Sequence, residues 1–291
     1  MNAIGERIED LNFFSGPGLK MSARFYRPPK DNDLKTGVVM CHGFGGVKEG
    51  VLPSLACLLA EAGYTAMTFD FRGFGASEGL NGRLVPDEQV EDTVHALEYL
   101  AREGSVDPDR IGLYGTSFGG GIAALAAAYS DRPKALAVSV PVMSGSDWLR
   151  SISRYAEFFE MKSRAIEAIG EKAVSQRVDM ADRADIMIPD AATAKTYTQK
   201  IPMAFETFYH VSHHEPLARA GDVRVPTLIF GVKTDMLVPF HQTQRFYDSL
   251  NVEKELEVAN TGAHWAPYNE LLPRVATKSV AWYGKHLRSG R

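Results

Sequence analysis

The chain has 291 residues, of which 45% are hydrophobic and 23% charged, so it carries too much apolar mass for a disordered protein. Its 32 basic and 36 acidic residues leave a formal net charge of −4 with no basic run, which argues against nucleic acid as a partner. A chain of this length buries enough surface to fold without disulfide or metal staples, and its two cysteines, Cys41 and Cys57, form no C-x-x-C pair.

Short β-branched or aromatic runs alternate with helical patterns along most of the chain. In chain order we predict strands over residues 7–14, 21–26, 37–41, 65–71, 110–114, 135–142, 225–231 and 255–259, and helices over residues 53–62, 86–104, 118–129, 241–250 and 267–287. Repeated strand–helix–strand units are typical of an α/β protein. They predict a mostly parallel central sheet flanked by helices, with right-handed crossovers.

This alternation stops between residues 146 and 221, where the pattern is helical and no strand is predicted. We expect residues 1–145 and 222–291 to form the core domain and residues 146–221 to form a helical lid over the strand ends. The apolar side chains of this insertion could line an acyl pocket or pack the lid onto the sheet. They are Trp148, Tyr155, Phe158, Phe159, Met161, Met203, Phe205, Phe208 and Tyr209.

Residues 111–130 form a long uncharged stretch, but glycines between positions 115 and 121 interrupt it. A strand, a turn and a helix therefore fit this stretch better than a membrane span. The first ten residues include several charged ones and contain no apolar h-region, so we expect no secretory signal. With two unpaired thiols, this pattern predicts a cytoplasmic protein that does not bind a membrane.

The pattern G-x-S-x-G occurs twice, at residues 75–79 and 115–119. A nucleophile elbow requires a strand before the serine and a helix after it, with glycines where the turn is tight. Ser117 has both flanks, whereas Ser77 is followed by the loop-like E-G-L-N-G-R. We therefore predict that Ser117 is a nucleophile and that Ser77 is a turn residue.

A serine hydroxyl becomes a strong nucleophile when a base takes its proton, and that base is commonly a histidine held by a carboxylate. In a parallel sheet, active-site side chains lie at the carboxyl ends of the strands. Asp235 follows the strand at 225–231, and His264 follows the strand at 255–259. Either residue alone would be an ordinary loop residue, but the order Ser117, Asp235, His264 at three strand ends favours a catalytic triad.

The negative oxygen of the transition state needs preorganised donors. One expected donor is the backbone N–H of Phe118, which follows the nucleophile. The other is the backbone N–H of Phe44, in the H-G-F-G-G loop after the strand at 37–41. We expect His42, at the start of that loop, to shape it by hydrogen bonding rather than to transfer protons.

These segments resemble those of the α/β-hydrolase superfamily: H-G-F-G-G, F-D-F-R-G-F-G-A-S-E-G, G-T-S-F-G-G, G-V-K-T-D and G-A-H-W. The resemblance covers about residues 10–142 and 222–288. Within the superfamily, the sequence is most similar to the branch of dienelactone-hydrolase-like and Xaa-Pro-dipeptidyl-peptidase-like proteins. This branch includes bacterial esterases and fungal hydrolases that release or transfer polyketide acyl chains. Dienelactone hydrolases carry a cysteine at the elbow, so Ser117 argues against a dienelactone substrate.

His210, His213 and His214 form a dense cluster. Their spacing could place them on one helical face as zinc ligands, but H-x-x-H-H is not H-E-x-x-H, and Pro216 ends any helix there. A hydrogen bond from one of them to the substrate is favoured over a metal site. The F-G-G-G run lacks the Lys-Ser/Thr of a phosphate loop, so we expect neither a metal nor a cofactor.

The sequence thus predicts a serine hydrolase that cleaves a carboxylic ester or thioester of a small, largely apolar acyl substrate. Three alternatives stay open. The same triad could perform acyl transfer, C–C bond hydrolysis or peptide hydrolysis. The scaffold could be a non-catalytic binding protein. A cofactor-free lyase or oxygenase would use His264 and Asp235 but could tolerate the loss of Ser117.

Overall fold

The structure is a computed structural model that describes residues 5–16, 18–153, 155–170, 177–179 and 202–287. The described strands are β1 (Ile8–Ser15), β2 (Leu19–Tyr26), β3 (Thr36–Cys41), β4 (Tyr64–Phe69), β5 (Ile111–Thr116), β6 (Ala135–Ser139), β7 (Arg177–Asp179), β8 (Pro202–Ala204), β9 (Thr227–Val232) and β10 (Lys254–Ala259). The described helices are α1 (Pro53–Glu61), α2 (Pro86–Arg102), α3 (Phe118–Tyr129), α4 (Gly145–Ile152), α5 (Tyr155–Gly170), α6 (Glu206–Ser212), α7 (Phe240–Ser249) and α8 (Leu272–His286). Short 3-10 helices span Gly5–Arg7, Lys30–Asn32, Pro216–Asp222 and Ala266–Tyr268.

Eight strands form one sheet in the order β1-β2-β4-β3-β5-β6-β9-β10. The hairpin of β1 and β2 is antiparallel and joins β4 in antiparallel register, while β4, β3, β5, β6, β9 and β10 run parallel. The prediction of a mostly parallel sheet is confirmed. Because parallel strands end at the same edge, the loops after β3, β5, β9 and β10 meet there.

The central strands are apolar on both faces because helices cover both. Every residue of β3, β4, β5, β6 and β9 is buried. Along β3, Val39 and Cys41 join the apolar cluster that contains α2 and α3, whereas Val38 and Met40 join the cluster that contains α1 and α8. This alternation is the two-residue period of a strand sandwiched between helical layers.

The uncharged stretch at 111–130 folds as strand β5, the turn at Ser117 and helix α3, as predicted. In the part of the chain that the structure describes, no helix is both long enough and apolar enough to cross a membrane.

The structure corrects the sequence prediction in three places. The insertion contains two short strands, β7 and β8, which pair antiparallel as a separate two-stranded sheet. The predicted helix at 267–287 is divided into the 3-10 turn Ala266–Tyr268 and helix α8, because the backbone at Asn269 (φ −121°, ψ −104°) leaves the helical region. The predicted strand at 135–142 ends at Ser139, since Val140 turns the chain with a φ of +43°.

Candidate active site

Ser117 lies in the turn between β5 and α3 with a φ of +54° and a ψ of −124°. A non-glycine residue in this region costs on the order of 1–3 kcal/mol and persists where the surroundings hold it. Here the Ser117 N–H donates to the carbonyl of Ser139 at 2.9 Å, and its carbonyl accepts from the Val142 N–H at 2.9 Å. The end of β6 thus holds the serine in a strained conformation at the amino end of α3.

Glycines flank Ser117 because the backbone approaches closely on both sides. A Cβ on Gly119 would lie 2.2 Å from the carbonyl oxygen of His42, and a Cβ on Gly115 would lie 2.3 Å from that of Gly119. Both distances are far below van der Waals contact. The G-x-S-x-G spacing therefore brings α3 against the loop that follows β3.

His264 joins Ser117 to Asp235. Its Nε2 lies 3.1 Å from Ser117 Oγ, and its Nδ1 lies 2.7 Å from Asp235 Oδ2. Asp235 Oδ1 accepts from the backbone N–H groups of Leu237 and Val238 at 2.8 and 2.9 Å, which leaves Oδ2 for the imidazole. All three side chains are buried, His264 to 1% exposure. The structure thus brings the three residues into one hydrogen-bonded chain, and such a chain can move a proton from the serine to the histidine.

The two expected oxyanion donors flank the serine. Phe118 follows it directly. Phe44 follows Gly43, and a Cβ placed on Gly43 would lie 3.6 Å from Ser117 Oγ. Among the described residues, neither the Phe44 N–H nor the Phe118 N–H donates to a protein acceptor. Free amides beside the serine fit the chemistry of an oxyanion site, and the Phe44 and Phe118 rings pack edge to face at 5.6 Å.

His42 is buried at the start of the Phe44 loop. Its Nδ1 lies 2.9 Å from the carbonyl of Gly43, and its ring packs edge-on against Phe71 at 4.8 Å. Burial lowers the pKa of His42, so its neutral form is favoured. These contacts agree with a histidine that shapes the loop.

Asp70 is a residue that our sequence analysis missed. Its buried carboxylate accepts from the Lys48 backbone N–H at 2.7 Å, from Lys48 Nζ at 2.9 Å and from the Ala76 N–H at 3.0 Å. Lys48 ends the glycine-rich loop that carries Phe44, so this ion pair ties that loop to the segment after β4. An aspartate directly after a fully buried strand was the available signal, because a buried carboxylate needs partners.

Ser77, in the other G-x-S-x-G match, has no imidazole beside it in the contacts described. Its hydroxyl donates to the carbonyl of Asp70 at 2.6 Å and accepts from the Ser22 N–H at 2.8 Å. Ser77 is therefore a turn residue, as predicted.

The three clustered histidines have different surroundings. His214 is buried against the Phe118 ring at 4.8 Å, and burial lowers its pKa to about 3. His213 is exposed, and its Nδ1 lies 2.7 Å from the carbonyl of Tyr209. His210 is partly buried, and desolvation lowers its pKa. Across the described ranges, no group of three His, Cys, Asp or Glu side chains is arranged to hold a metal ion.

The apolar residues of the insertion divide between packing and exposure. Five of them are buried, Phe208 and Tyr209 are partly buried, and Phe159 is 46% exposed. The side chain of Tyr155 lies outside the described residues. The buried five are Trp148, Phe158, Met161, Met203 and Phe205.

A mostly parallel eight-stranded sheet with a serine turn before α3, and with an aspartate and a histidine after β9 and β10, defines the α/β-hydrolase class. Residues 32–270 match the family described as serine aminopeptidase, S33, and the chain belongs to this family. The resemblance seen in the sequence motifs is thereby confirmed.

Curated relatives and solved structures agree with this assignment. An uncharacterized 31.7 kDa protein of Escherichia coli, from the traX-finO intergenic region, is 30% identical over 90% of this chain and 95% of its own length. The acyltransferase drtE of Aspergillus calidoustus is 26% identical over 88% of this chain and 87% of its own length. The crystal structure of the α/β hydrolase GrgF from Penicillium superimposes with a TM-score of 0.83 at 19% identity, covering 96% of this chain and 99% of that one.

Proposed function

We propose that the protein is a serine hydrolase that cleaves a carboxylic ester or thioester through an acyl-enzyme intermediate. One observation carries the proposal: a buried imidazole lies 3.1 Å from a serine hydroxyl on one side and 2.7 Å from a carboxylate on the other. Membership of a family of hydrolases supports it.

In the proposed reaction, Ser117 Oγ attacks the acyl carbon while His264 Nε2 takes the hydroxyl proton. The Phe44 and Phe118 amides stabilise the oxyanion, and Asp235 stabilises the imidazolium. The tetrahedral intermediate then breaks its bond to the alcohol or thiol, which leaves with the proton from His264. Water attacks the acyl-enzyme with His264 as the base, and the carboxylic acid leaves Ser117 free.

We propose an apolar acyl group for the substrate and a lid role for residues 146–221. The aromatic rings of Phe44, Phe118 and Trp148, which pack together where Phe118 follows the serine, support the first point. Helices α4, α5 and α6, which follow β6 on the side where that strand ends, support the second. The two free cysteines agree with a cytoplasmic location.

The test uses a panel of p-nitrophenyl esters and N-acetylcysteamine thioesters from acetyl to octanoyl and cinnamoyl. We expect hydrolysis with a preference for the longer or bulkier acyl groups over acetyl. A fluorophosphonate probe should label the wild-type protein but not Ser117→Ala. Absence of both labelling and hydrolysis would favour a binding protein, and a clear acetyl preference would contradict the apolar substrate.

Acyl transfer is the second candidate, and its support is the acyltransferase relative of nearly the same length. In transfer, an alcohol or amine replaces water in the second half of the reaction, and Ser117, His264 and Asp235 keep the same roles. Product analysis with added alcohol or amine acceptors separates the two. Transfer predicts that an acceptor at millimolar concentration captures most of the acyl group, whereas hydrolysis predicts that the free acid stays the main product.

A further inference from the structure

Trp148 packs against both of the expected oxyanion residues. It lies in α4, the first helix after β6, and is 1% exposed. Its ring centroid is 5.2 Å from that of Phe44 and 5.9 Å from that of Phe118. Since Phe44 and Phe118 also contact each other at 5.6 Å, the three rings form one cluster. Trp148 therefore contacts the side chains of both residues whose amides flank Ser117.

The polar end of the same indole reaches the loop of Asp235. Trp148 Nε1 donates to the carbonyl of Leu237 at 3.1 Å. The Leu237 N–H and its neighbour Val238 N–H donate to Asp235 Oδ1, so the indole bonds the turn that holds the carboxylate. A buried tryptophan N–H normally finds a hydrogen-bond acceptor, and here the acceptor lies in the loop that carries Asp235.

The backbone that carries Trp148 is itself fixed to the core. Gln242 Oε1 accepts from the N–H groups of Met143 and Ser144 at 2.8 and 3.0 Å. Ser144 Oγ caps α4 by accepting from the Asp147 N–H at 3.2 Å, and it donates to Glu215 at 2.9 Å. The start of α4, from which Trp148 projects, is thus hydrogen-bonded to α7 and to the segment after α6.

We propose that Trp148 is a positioning residue that fixes the positions of the two oxyanion amides and the Asp235 turn relative to Ser117. The proposal rests on the function proposed above and adds a residue to it. Trp148 contacts three separate segments: its ring packs against the loop after β3 and the start of α3, and its N–H donates to the loop after β9. Catalysis depends on the relative placement of these segments, because a donor displaced by a fraction of an ångström stabilises the transition state less.

The test replaces one indole and compares it with a matched control. Trp148→Phe keeps an aromatic ring but removes the N–H bond to Leu237. Trp282→Phe makes the same chemical change in α8, where Nε1 donates to the carbonyl of Pro226 at 3.4 Å in the apolar cluster on the other face of the sheet. Each kcat is normalised to active sites titrated with a fluorophosphonate, so loss of folded protein does not count as loss of rate.

We expect Trp148→Phe to lower kcat per titrated site by about five- to twentyfold, with KM changed less than about threefold, since one hydrogen bond and its geometry are lost. Trp282→Phe should keep kcat within twofold. Both variants should melt a few degrees lower than the wild type, because each loses one buried contact.

A double-mutant cycle with Asp235→Asn separates positioning from general packing. If Trp148 acts through the Asp235 loop, Trp148→Phe lowers kcat by a smaller factor in the Asp235→Asn background than in the wild type. Equal factors in both backgrounds, or a Trp148→Phe kcat within twofold of the wild type, would overturn the proposal while leaving the hydrolase assignment intact. A wild-type protein without Ser117-dependent turnover would overturn both.

Discussion

His264 Nε2 lies 3.1 Å from Ser117 Oγ, although the two residues are 147 positions apart along the chain. The parallel sheet makes this contact possible because β5 and β10 end at the same edge. The hydrogen bond joins the proposed nucleophile, Ser117, to the proposed base, His264.

Ser117→Ala should lower kcat/KM for the best ester by roughly three or more orders of magnitude, because the hydroxyl that attacks the acyl carbon is gone. Its melting temperature should change little, since alanine keeps the same backbone. Ser77→Ala is the matched control from the other G-x-S-x-G segment. It should keep kcat/KM within about threefold but lose about 1–3 kcal/mol of stability, because the Ser22 N–H loses its acceptor. Steady-state kinetics and urea denaturation measure both. A reversed pattern would assign the chemistry to Ser77.

Asp235→Asn should lower kcat by about 10⁴-fold. The asparagine oxygen can still accept from the Leu237 and Val238 N–H groups, so its NH₂ faces His264 Nδ1. That arrangement forces the tautomer with a proton on Nε2, which cannot take the proton of Ser117. Stopped-flow and steady-state assays at neutral pH measure the loss. Glu253→Gln serves as the control, because it removes a carboxylate 3.8 Å from the imidazole of His286 and should leave kcat unchanged. Equal rates for Asp235→Asn and the wild type would remove Asp235 from the mechanism.

Two glycine substitutions should separate crowding at the site from failure to fold. A methyl group on Gly43 would lie 3.2 Å from Ser117 Cβ, a tight contact that a small shift relieves. Gly43→Ala should therefore fold and lose about tenfold in kcat per titrated site. A methyl group on Gly119 would lie 2.2 Å from the His42 carbonyl, which is backbone and cannot move aside. Gly119→Ala should yield little soluble protein. Circular dichroism melts and active-site titration measure both, and a stable, fully active Gly119→Ala would contradict the packing described.

The sequence predicts the sheet and the positions of Ser117, Asp235 and His264 because both depend on local patterns. Apolar runs bounded by glycine mark buried parallel strands, and polar residues directly after them lie at the carboxyl edge. The meeting of the three side chains follows from that topology. Their catalytic roles stay a prediction that the kinetics above test.

Other features depend on contacts between distant segments and leave no local signal. Strand β7 has three residues, too few for a two-residue period to stand out from a helical pattern. In the sequence, Trp148 looks like an ordinary core residue. Its contacts with both the Phe44 loop and the Asp235 loop follow from where α4 packs. The Lys48–Asp70 pair joins residues 22 positions apart, which no periodicity relates.

His214 should make the protein less stable in acid. Burial lowers its pKa from 6.5 to about 3, and among the described residues its Nε2 has no hydrogen-bond partner that would stabilise a charge. Below pH 6.5 the unfolded chain binds a proton at this residue that the folded chain does not, so the free energy of unfolding falls as the pH falls towards 3. The expected contribution is about 1.4 kcal/mol per pH unit in that window.

His214→Phe removes this titration and keeps a ring against Phe118. The slope of unfolding free energy against pH between 6 and 4 should decrease by about 1.4 kcal/mol per unit relative to the wild type. Urea denaturation at several pH values measures the slope. Thr207→Val, a buried change on α6 that removes a hydroxyl accepting from the Leu84 N–H, should shift the free energy by a similar amount at every pH and keep the wild-type slope. Parallel curves for His214→Phe and the wild type would mean that His214 binds a proton equally well in the folded and unfolded chains.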